Sequence, residues 1–144
     1  METRHADWSL DSRLQADTFP LFEDEHRCLL LMNDSRWPWL IAVPKIAGAV
    51  ELHDLDRSRM HGEMEFSANI GERLKTMTDC EKINIAAIGN MVRQLHIHII
   101  ARSPGDTNWP GPVWGFGDAI PYTKPDADAL IEQLKVHILA PLIS

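Results

Sequence analysis

Two histidines alternate with large aliphatic residues in the segment 94–102, QLHIHIIAR, and this pattern constrains the fold more than any other. A period of two is typical of a β-strand, in which every second side chain lies on the same face. Gln94, His96 and His98 are therefore expected to share one face, with the aliphatic residues between them in the core. Since a strand rises about 3.3 Å per residue, the two histidine Cβ atoms lie roughly 6–7 Å apart. Both imidazoles can then reach one phosphate-sized group.

Two other interpretations of the histidine pair stay open at this point. A half-exposed strand often has a polar face, and histidine is tolerated there without any function. Histidines at alternate positions can also chelate zinc, but a zinc site needs three or four ligands. The remaining histidines are scattered over predicted termini, a strand edge and helices: His5, His26, His53, His61 and His137. We therefore predict no metal site.

The sequence around the pair resembles the histidine triad (HIT) family. The family motif alternates three histidines with apolar residues, and here it runs from Gln94 to Ile100 with glutamine in place of the first histidine. Other segments are also similar to the family: LIAVPK at 40–45, LHDL at 52–55, INI at 83–85, GNMV at 89–92 and RSPGD at 102–106. The segment WPGP at 109–112 resembles the end of the nucleoside phosphoramidase branch. The resemblance covers roughly residues 28–114.

The length and composition predict one domain. A chain of 144 residues with 44% hydrophobic content suits a single core, and no linker, repeat or low-complexity run divides it. We expect one HIT-like domain over residues 1–144, of the α+β class, with an antiparallel sheet of about five strands, one long helix and a C-terminal helix.

Local patterns predict the positions of most of these elements. Turn residues at 33–35 separate two apolar runs, which indicates a β-hairpin. Asp54 or Asp56 can cap the long helix, which should extend to about Thr78. The full set of predicted elements is a short helix within 7–17, strands at 27–32 and 37–43, a helix from 54 or 56 to 78, strands at 82–88 and 94–101 and a helix at 125–139.

The chemistry follows from the imidazoles. Their ordinary pKa is near 6.5, so at neutral pH much of the imidazole is uncharged and nucleophilic. A nucleotidyl group on histidine is a labile phosphoramidate, which divides one difficult displacement into two easier ones. The family resemblance assigns the nucleophile to His96 and contact with the phosphate or leaving group to His98. It implies a hydrolase or transferase acting at the α-phosphate of nucleoside phosphoramidates or dinucleoside polyphosphates, without a cofactor.

Gln94 is the departure from the family with the largest consequence. The family's first histidine helps to arrange hydrogen bonds around the phosphate, whereas glutamine carries no proton at neutral pH. The family also often has a histidine shortly after Pro-Lys, where this chain has IAG at 46–48. Acid-base assistance typically contributes about 10² to 10⁴ in rate, so losing part of it leaves either a slow enzyme or one whose substrate brings a good leaving group. If the missing histidine limits the rate, Gln94→His should raise turnover. The alternative is a nucleotide-binding or sensing module with little or no catalysis.

Several polar residues are candidates for binding the nucleotide. The family places an acidic residue on the ribose where Asn33 and Asp34 fall, and of these we select Asp34. Asn84 and Asn90 match polar positions near the phosphates. As turn or loop residues, all four are equally compatible with a purely structural role.

The aromatic residues and Arg102 are less clearly assigned. Trp109 and Trp114 could line the pocket, cross to a partner subunit or pack within their own loop. We expect Trp37 and Trp39 to pack at a strand start, with one of them a candidate to lie against the base. Arg102 either holds phosphate or pairs with Asp106 (an exposed ion pair is the expected role), so we leave it out of the site.

Charge and composition narrow the choice of partners. A net charge of −7 argues against a broad nucleic-acid surface, which relies on clustered Lys and Arg, but is compatible with one purine nucleotide in a pocket. No apolar stretch approaches the roughly 20 residues needed to cross a bilayer, and the N-terminus lacks a signal-peptide core, so we expect no membrane partner and a cytoplasmic location. Cys28 and Cys80 are expected to be thiols. The family resemblance alone implies a homodimer.

Overall fold

A five-stranded antiparallel sheet forms the centre of the fold, in the spatial order β1-β2-β3-β5-β4. The structure is a computed structural model and describes residues 7–140. The strands are β1 (Thr18–Glu23), β2 (Arg27–Met32), β3 (Trp39–Pro44), β4 (Lys82–Ala86) and β5 (Ile97–Arg102). Because β3 and β5 are central neighbours, residues of both strands are shielded from solvent on either side, and all six residues of each are buried.

Three α-helices and two short helical turns complete the described chain. They are α1 (Ser12–Asp17), a 3₁₀ turn (Leu52–Asp54), α2 (Arg57–Thr78), α3 (Lys124–Leu134) and a π-helical turn (Lys135–Leu139). Each α-helix has a capping side chain at its N-terminus, which satisfies backbone N–H groups that have no partner within the helix. The capping residues are Asp11, Asp56 and Thr123.

The two faces of the sheet are covered differently. One face packs against α2 and the C-terminal helices. The core between them includes Leu29, Leu31, Ile97 and Ile99 from the sheet and Ile70, Leu74 and Leu134 from the helices. Gly71 allows this close contact, since a Cβ there would lie 3.1 Å from Cγ2 of Ile83. The opposite face carries Leu14, Leu30, Trp37, Trp39, Ile41, Val43, Ile100 and Val113. His98 lies on this second face, because it is directly opposite Ile41 in the β3–β5 ladder.

The expected fold class is confirmed, including the hairpin of β2 and β3, the long helix and the C-terminal helix. Asp56 caps α2, while Asp54 accepts hydrogen bonds from the backbone N–H groups of Val50 and Glu51. The sequence patterns missed β1. This edge strand contains Pro20 and has an irregular register between Pro20 and Phe22, so it shows no regular alternation.

The start of β5 was predicted wrongly. The strand begins at Ile97, and Gln94 lies in a bend before it. The backbone N–H of Leu95 donates to the carbonyl of Ala49, 3.0 Å away, so this part of the chain bonds outside the sheet. Residues 87–96 form the connection from β4, which is therefore longer than the predicted turn at 89–90.

Among the helices within residues 7–140, none is long and apolar enough to cross a membrane. Cys28 and Cys80 are both buried thiols. Burial and, to a smaller extent, the carboxylate of Glu23 raise the pKa of Cys28 to about 11, so this thiol stays protonated and unreactive at neutral pH.

Candidate functional site

His96 and His98 lie side by side at the start of β5. Their ring centroids are 4.8 Å apart, and the side chains are almost fully buried, with 6% and 5% of their surface exposed. Two imidazoles held this close inside a protein can act together on one small group. The predicted shared face of the two histidines is therefore present, although only His98 lies within the strand itself.

The His96 ring is oriented by a backbone carbonyl. Its Nδ1 lies 2.7 Å from the carbonyl oxygen of Gln94. A carbonyl oxygen can only accept, so Nδ1 carries the proton and donates it. In the neutral ring the other nitrogen, Nε2, then has a lone pair and no proton. This is the tautomer that a nucleophilic histidine needs.

The His98 ring is oriented by a tryptophan in the opposite way. The indole Nε1 of Trp39 donates to Nδ1 of His98 at 2.9 Å. Since an indole N–H can only donate, Nδ1 of His98 accepts, and the proton of the neutral ring is on Nε2. Burial, together with the nearby His96, lowers the pKa of His98 to about 3. His98 is therefore a neutral hydrogen-bond donor throughout the physiological pH range.

Aromatic rings surround His98. The ring centroids of Trp39 and Trp114 lie 5.6 and 5.4 Å from it, and the two indoles contact each other edge to face. These rings help to bury His98, and burial is the main cause of its low pKa. Trp114 thus lies beside the histidine pair. Trp109 does not: its ring contacts the guanidinium of Arg102, at 5.7 Å.

A polar cavity of 570 Å³ opens at His96. Asn90 lines it, as does Gln94, so the structure brings these two predicted site residues to the nucleophile candidate. His53 and Arg93 also line the cavity, and sequence reasoning assigned neither to the site. The segment LHDL at 52–55, whose resemblance to the family indicated the start of the long helix, was also the signal that could have identified His53.

A second cavity, of 380 Å³, lies on the side of Trp39. Its lining includes Asn33, Asp34, Arg36 and Phe116. This cavity is less polar than the first and is bounded by the turn between β2 and β3 and by the loop before α3. His96 itself lines the first cavity, whereas the second is lined by Trp39, the residue that donates to His98.

Asp34 and Asn33 make hydrogen bonds within the protein at the edge of this second cavity. Both carboxylate oxygens of Asp34 accept from the Arg36 side chain, at 2.9 and 2.8 Å, and Asp34 is only 2% exposed. Burial alone raises the pKa of this carboxyl, but hydrogen bonds from the Arg36 side chain and backbone, and from the N–H of Ile120, bring it below its ordinary value. Asn33 Oδ1 accepts from the N–H of Tyr122. The carboxylate oxygens of Asp34 therefore already have donors within the protein. The ribose contact predicted for Asp34 is not tested by this geometry and stays a prediction.

Asn84 is a predicted site residue that lies outside both cavities. It lies on β4 directly opposite Ile100, and hence on the sheet face of His98. Its predicted contact with phosphate stays untested.

Arg102 organises the loop that carries Trp114. Its guanidinium donates twice to the Asp106 carboxylate, at 2.8 Å each, and also to the carbonyls of Thr107 and Gly111. The predicted pairing with Asp106 is confirmed, but the expectation that it is exposed was wrong, because Arg102 is 1% exposed. The hydrogen bond from Arg102 holds the pKa of Asp106 below its ordinary value.

The zinc interpretation gains no support from the geometry. In the part of the chain that the structure describes, no three His, Cys, Asp or Glu side chains are grouped so that they could hold a metal ion. The pair His96 and His98 therefore has no third ligand within residues 7–140.

Comparison with known proteins gives a consistent family. The family model described as the HIT domain matches residues 13–105. A histidine triad protein from Sinorhizobium meliloti is 41% identical, with a TM-score of 0.89 over 93% of this chain and 99% of that one. Histidine triad proteins from Bradyrhizobium japonicum (40% identity, TM-score 0.87, 92% and 98% covered) and Marinobacter aquaeolei (38%, 0.89, 92% and 97%) are also similar. No curated protein matches. The chain belongs to the histidine triad (HIT) family, whose fold supports nucleotide-binding hydrolases and transferases in general.

Proposed function

We propose that this protein hydrolyses or transfers a nucleoside monophosphate group through a covalent nucleotidyl-His96 intermediate. The observation that carries the proposal is that His96 and His98, whose ring centroids are 4.8 Å apart, are held in opposite tautomers. His96 has a lone pair on Nε2, and His98 has a proton on Nε2. A nucleophile beside a neutral hydrogen-bond donor suits attack on a phosphate, because the donor stabilises charge on the non-bridging oxygens.

In the first step, Nε2 of His96 attacks the α-phosphorus with its lone pair. The N–P bond forms as the bond from phosphorus to the leaving group breaks, and the leaving group takes the electron pair and a proton from solvent. The imidazole becomes cationic, and its Nδ1–H remains bonded to the Gln94 carbonyl, which stabilises that charge. His98 contributes a hydrogen bond from Nε2 throughout.

In the second step, water or another acceptor attacks the same phosphorus. The N–P electron pair returns to Nε2 of His96, the attacking group loses its proton to solvent, and the nucleoside monophosphate is released. Hydrolase and transferase activity differ only in this acceptor.

The two cavities suggest how a substrate divides between them. The 380 Å³ cavity, with Trp39 and Phe116 in its lining, suits a purine nucleoside, whose base can contact aromatic rings. Asn33 can donate to the ribose through its amide nitrogen. The polar 570 Å³ cavity, with Asn90 and Arg93, suits the leaving group. Substrates of this kind are purine nucleoside phosphoramidates and dinucleoside polyphosphates.

The proposal includes a homodimer that acts in the cytoplasm. β4 is an edge strand of the sheet, so its outer backbone groups can pair with a strand of a second copy. Ile85 on this strand is 44% exposed and Ile88, just after it, is 41% exposed. Two apolar side chains at an open sheet edge support an interface here, and a sizing column tests it.

A nucleotide-binding or sensing module with little catalysis is the second candidate. The observation in its favour is Gln94, which stands where the family has its first histidine and cannot shuttle a proton. This candidate predicts tight binding of adenosine monophosphate without covalent labelling.

The deciding experiment mixes the protein with a fluorogenic adenosine phosphoramidate or with diadenosine tetraphosphate, quenches early and measures the intact mass. We expect an added nucleoside monophosphate in the wild type and in His61→Ala, an exposed position on α2, but none in His96→Ala. An adduct that survives in His96→Ala overturns the assignment of the nucleophile. Absence of adduct and turnover in the wild type, with nucleotide binding intact, favours the binding module.

A further inference from the structure

Gln94 uses both polar atoms of its side chain on the backbone of a distant segment. Its Oε1 accepts from the N–H of Asp11 at 2.9 Å, and its Nε2 donates to the carbonyl of Ser9 at 2.8 Å. These partners precede it by 83 and 85 residues. A primary amide offers a donor and an acceptor a short distance apart, which matches a carbonyl and an N–H two residues apart along an extended chain.

The main chain of Gln94 holds the His96 ring at the same time. Its carbonyl oxygen accepts from Nδ1 of His96 at 2.7 Å. The next residue, Leu95, donates its N–H to the Ala49 carbonyl. The short stretch before β5 is therefore attached to Ser9, Asp11 and Ala49, and none of these attachments belongs to the sheet.

The segment to which Gln94 is bonded is itself well fixed. Asp11 caps α1 by accepting from the N–H groups of Arg13 and Leu14. Trp8 and Leu10 pack against the apolar cluster on the His98 face of the sheet, and the ammonium of Lys45 lies 5.7 Å from a Trp8 ring centroid. The amide of Gln94 thus joins the histidine segment to a packed part of the fold.

We propose that Gln94 is a positioning residue: its side chain, held by the backbone of Ser9 and Asp11, fixes the carbonyl that sets the tautomer and direction of His96. It acts on the reaction through His96: the side chain borders the cavity at His96, but both of its polar atoms are already bonded to Ser9 and Asp11. This rests on the proposed function of His96 as the nucleophile. It also states what the glutamine does in place of the family's first histidine, namely hold the nucleophile without moving a proton.

The geometry argues against a gain in turnover from Gln94→His, the result predicted from sequence if the missing histidine limits the rate. A neutral imidazole also has one donor and one acceptor, but they point away from each other across a rigid ring. It cannot bond to Ser9 and Asp11 in the way that the amide does. We now expect Gln94→His to lower the rate.

The test compares Gln94→Ala and Gln94→Glu with Gln133→Glu, an exposed position on α3. Gln94→Glu keeps the shape of the side chain but replaces the donor to Ser9 with an oxygen, which repels the carbonyl. Two readouts are independent of activity: the exchange rate of the Asp11 amide hydrogen, and the tautomer of His96 from the ¹⁵N shifts of its ring nitrogens. A third is the rate of adduct formation.

In Gln94→Ala we expect the Asp11 amide to exchange about tenfold faster and His96 to change from one tautomer to a mixture, because each lost hydrogen bond is worth roughly this factor. Both Gln94 variants should lower kcat about tenfold with KM little changed, while Gln133→Glu behaves as wild type. If His96 keeps a single tautomer in folded Gln94→Ala or Gln94→Glu, the positioning role is overturned. A raised KM with unchanged kcat also overturns it, since it indicates a substrate contact. If the wild type forms no adduct, the proposed function fails, but exchange and tautomer still decide this inference.

Discussion

The indole N–H of Trp39 donates to Nδ1 of His98 at 2.9 Å, across a separation of 59 residues in sequence. Because an indole cannot accept, this contact leaves His98 with one choice for its proton, on Nε2. His96 is held in the opposite tautomer by the Gln94 carbonyl. The protein thus fixes one histidine with a lone pair and its neighbour with a proton, and it does so with groups that do not themselves titrate near neutral pH.

Replacing Trp39 with phenylalanine removes this donor and keeps an aromatic ring in place. His98 can then adopt either tautomer, so the hydrogen bond to the phosphate is present for only part of the time. We expect kcat to fall about tenfold, the factor that corresponds to roughly one hydrogen bond. The measurement is the rate of adduct formation together with the ¹⁵N shifts of His98.

The matched control for this substitution is Trp37→Phe. Trp37 is also buried, and its replacement also removes one indole hydrogen bond, to the carbonyl of Thr107, but it is not bonded to His98. An equal loss of activity in both variants indicates a general effect on packing and contradicts a specific role for Trp39.

The low pKa of His98 makes stability depend on pH. Burial, with the nearby His96, lowers this pKa from 6.5 to about 3 in the folded protein, whereas the unfolded chain takes up a proton near its ordinary value. The contribution of His98 to stability is therefore fully present above pH 6.5 and is lost as the pH falls toward 3. Within this window the free energy of unfolding should drop by up to about 1.4 kcal/mol per pH unit from this group alone.

Urea unfolding at pH 7.5, 6.0 and 5.0 measures this dependence. His98→Asn should reduce the slope of stability against pH, because asparagine takes up no proton in either state. His61→Asn, on the exposed side of α2, should keep the wild-type slope. The same slope in His98→Asn as in the wild type contradicts a depressed pKa at His98.

The sequence predicted the parts of the site that depend on local pattern. The alternation of His96 and His98 with isoleucines correctly indicated a strand in this segment and two neighbouring imidazoles, although the strand begins only at Ile97. The same alternation extends back to Gln94 and Leu95, so it cannot reveal that the hydrogen bonds of these two residues go to Ser9, Asp11 and Ala49. Where a strand begins is decided by these partners, which are distant in sequence.

Roles that depend on a single long-range contact were not predictable in the same way. In the sequence, Trp39 looks like an ordinary apolar core residue. Only its position beside His98 gives its N–H a function. Arg102 lies near Asp106 in sequence, so the pairing could be predicted, but its burial depends on Trp37 and Trp109 folding over it. Family resemblance supplied the two histidine roles and did not supply these supporting contacts.

The ion pair of Asp34 and Arg36 is expected to stabilise the turn between β2 and β3. Asp34→Asn leaves the Arg36 cation, which is only 10% exposed, with a neutral partner. The free energy of unfolding should fall by about 2 kcal/mol, since hydrogen bonds to charged groups in buried sites are worth roughly this amount. Chemical denaturation measures it, with Asp128→Asn as the control because the pair of Lys124 and Asp128 is exposed and should contribute little.

The same variant tests the ribose contact predicted for Asp34. If the carboxylate only holds Arg36, the affinity for adenosine monophosphate in Asp34→Asn should change little at a temperature where the variant is folded. A loss of affinity of tenfold or more, measured by calorimetry, instead supports a direct contact with the ribose.

Arg102 should be needed both for stability and for the shielding of His98, because it holds the loop that carries Trp114. Its guanidinium makes four hydrogen bonds, to Asp106, Thr107 and Gly111, and a lysine can reproduce the charge but not this planar arrangement. We expect Arg102→Lys to lower the free energy of unfolding by about 3 kcal/mol, because the lysine cannot make all of these hydrogen bonds and each one lost from a charged donor costs roughly 1.5–3 kcal/mol. Arg57→Lys, at the exposed start of α2, is the control and should change stability little.

Arg102→Lys should also change the dependence of stability on pH. If the loop loosens, water reaches His98, the pKa of His98 moves back toward its ordinary value, and stability depends on pH less than in the wild type. A variant that keeps wild-type stability and pH dependence shows that Trp114 is held in place without Arg102.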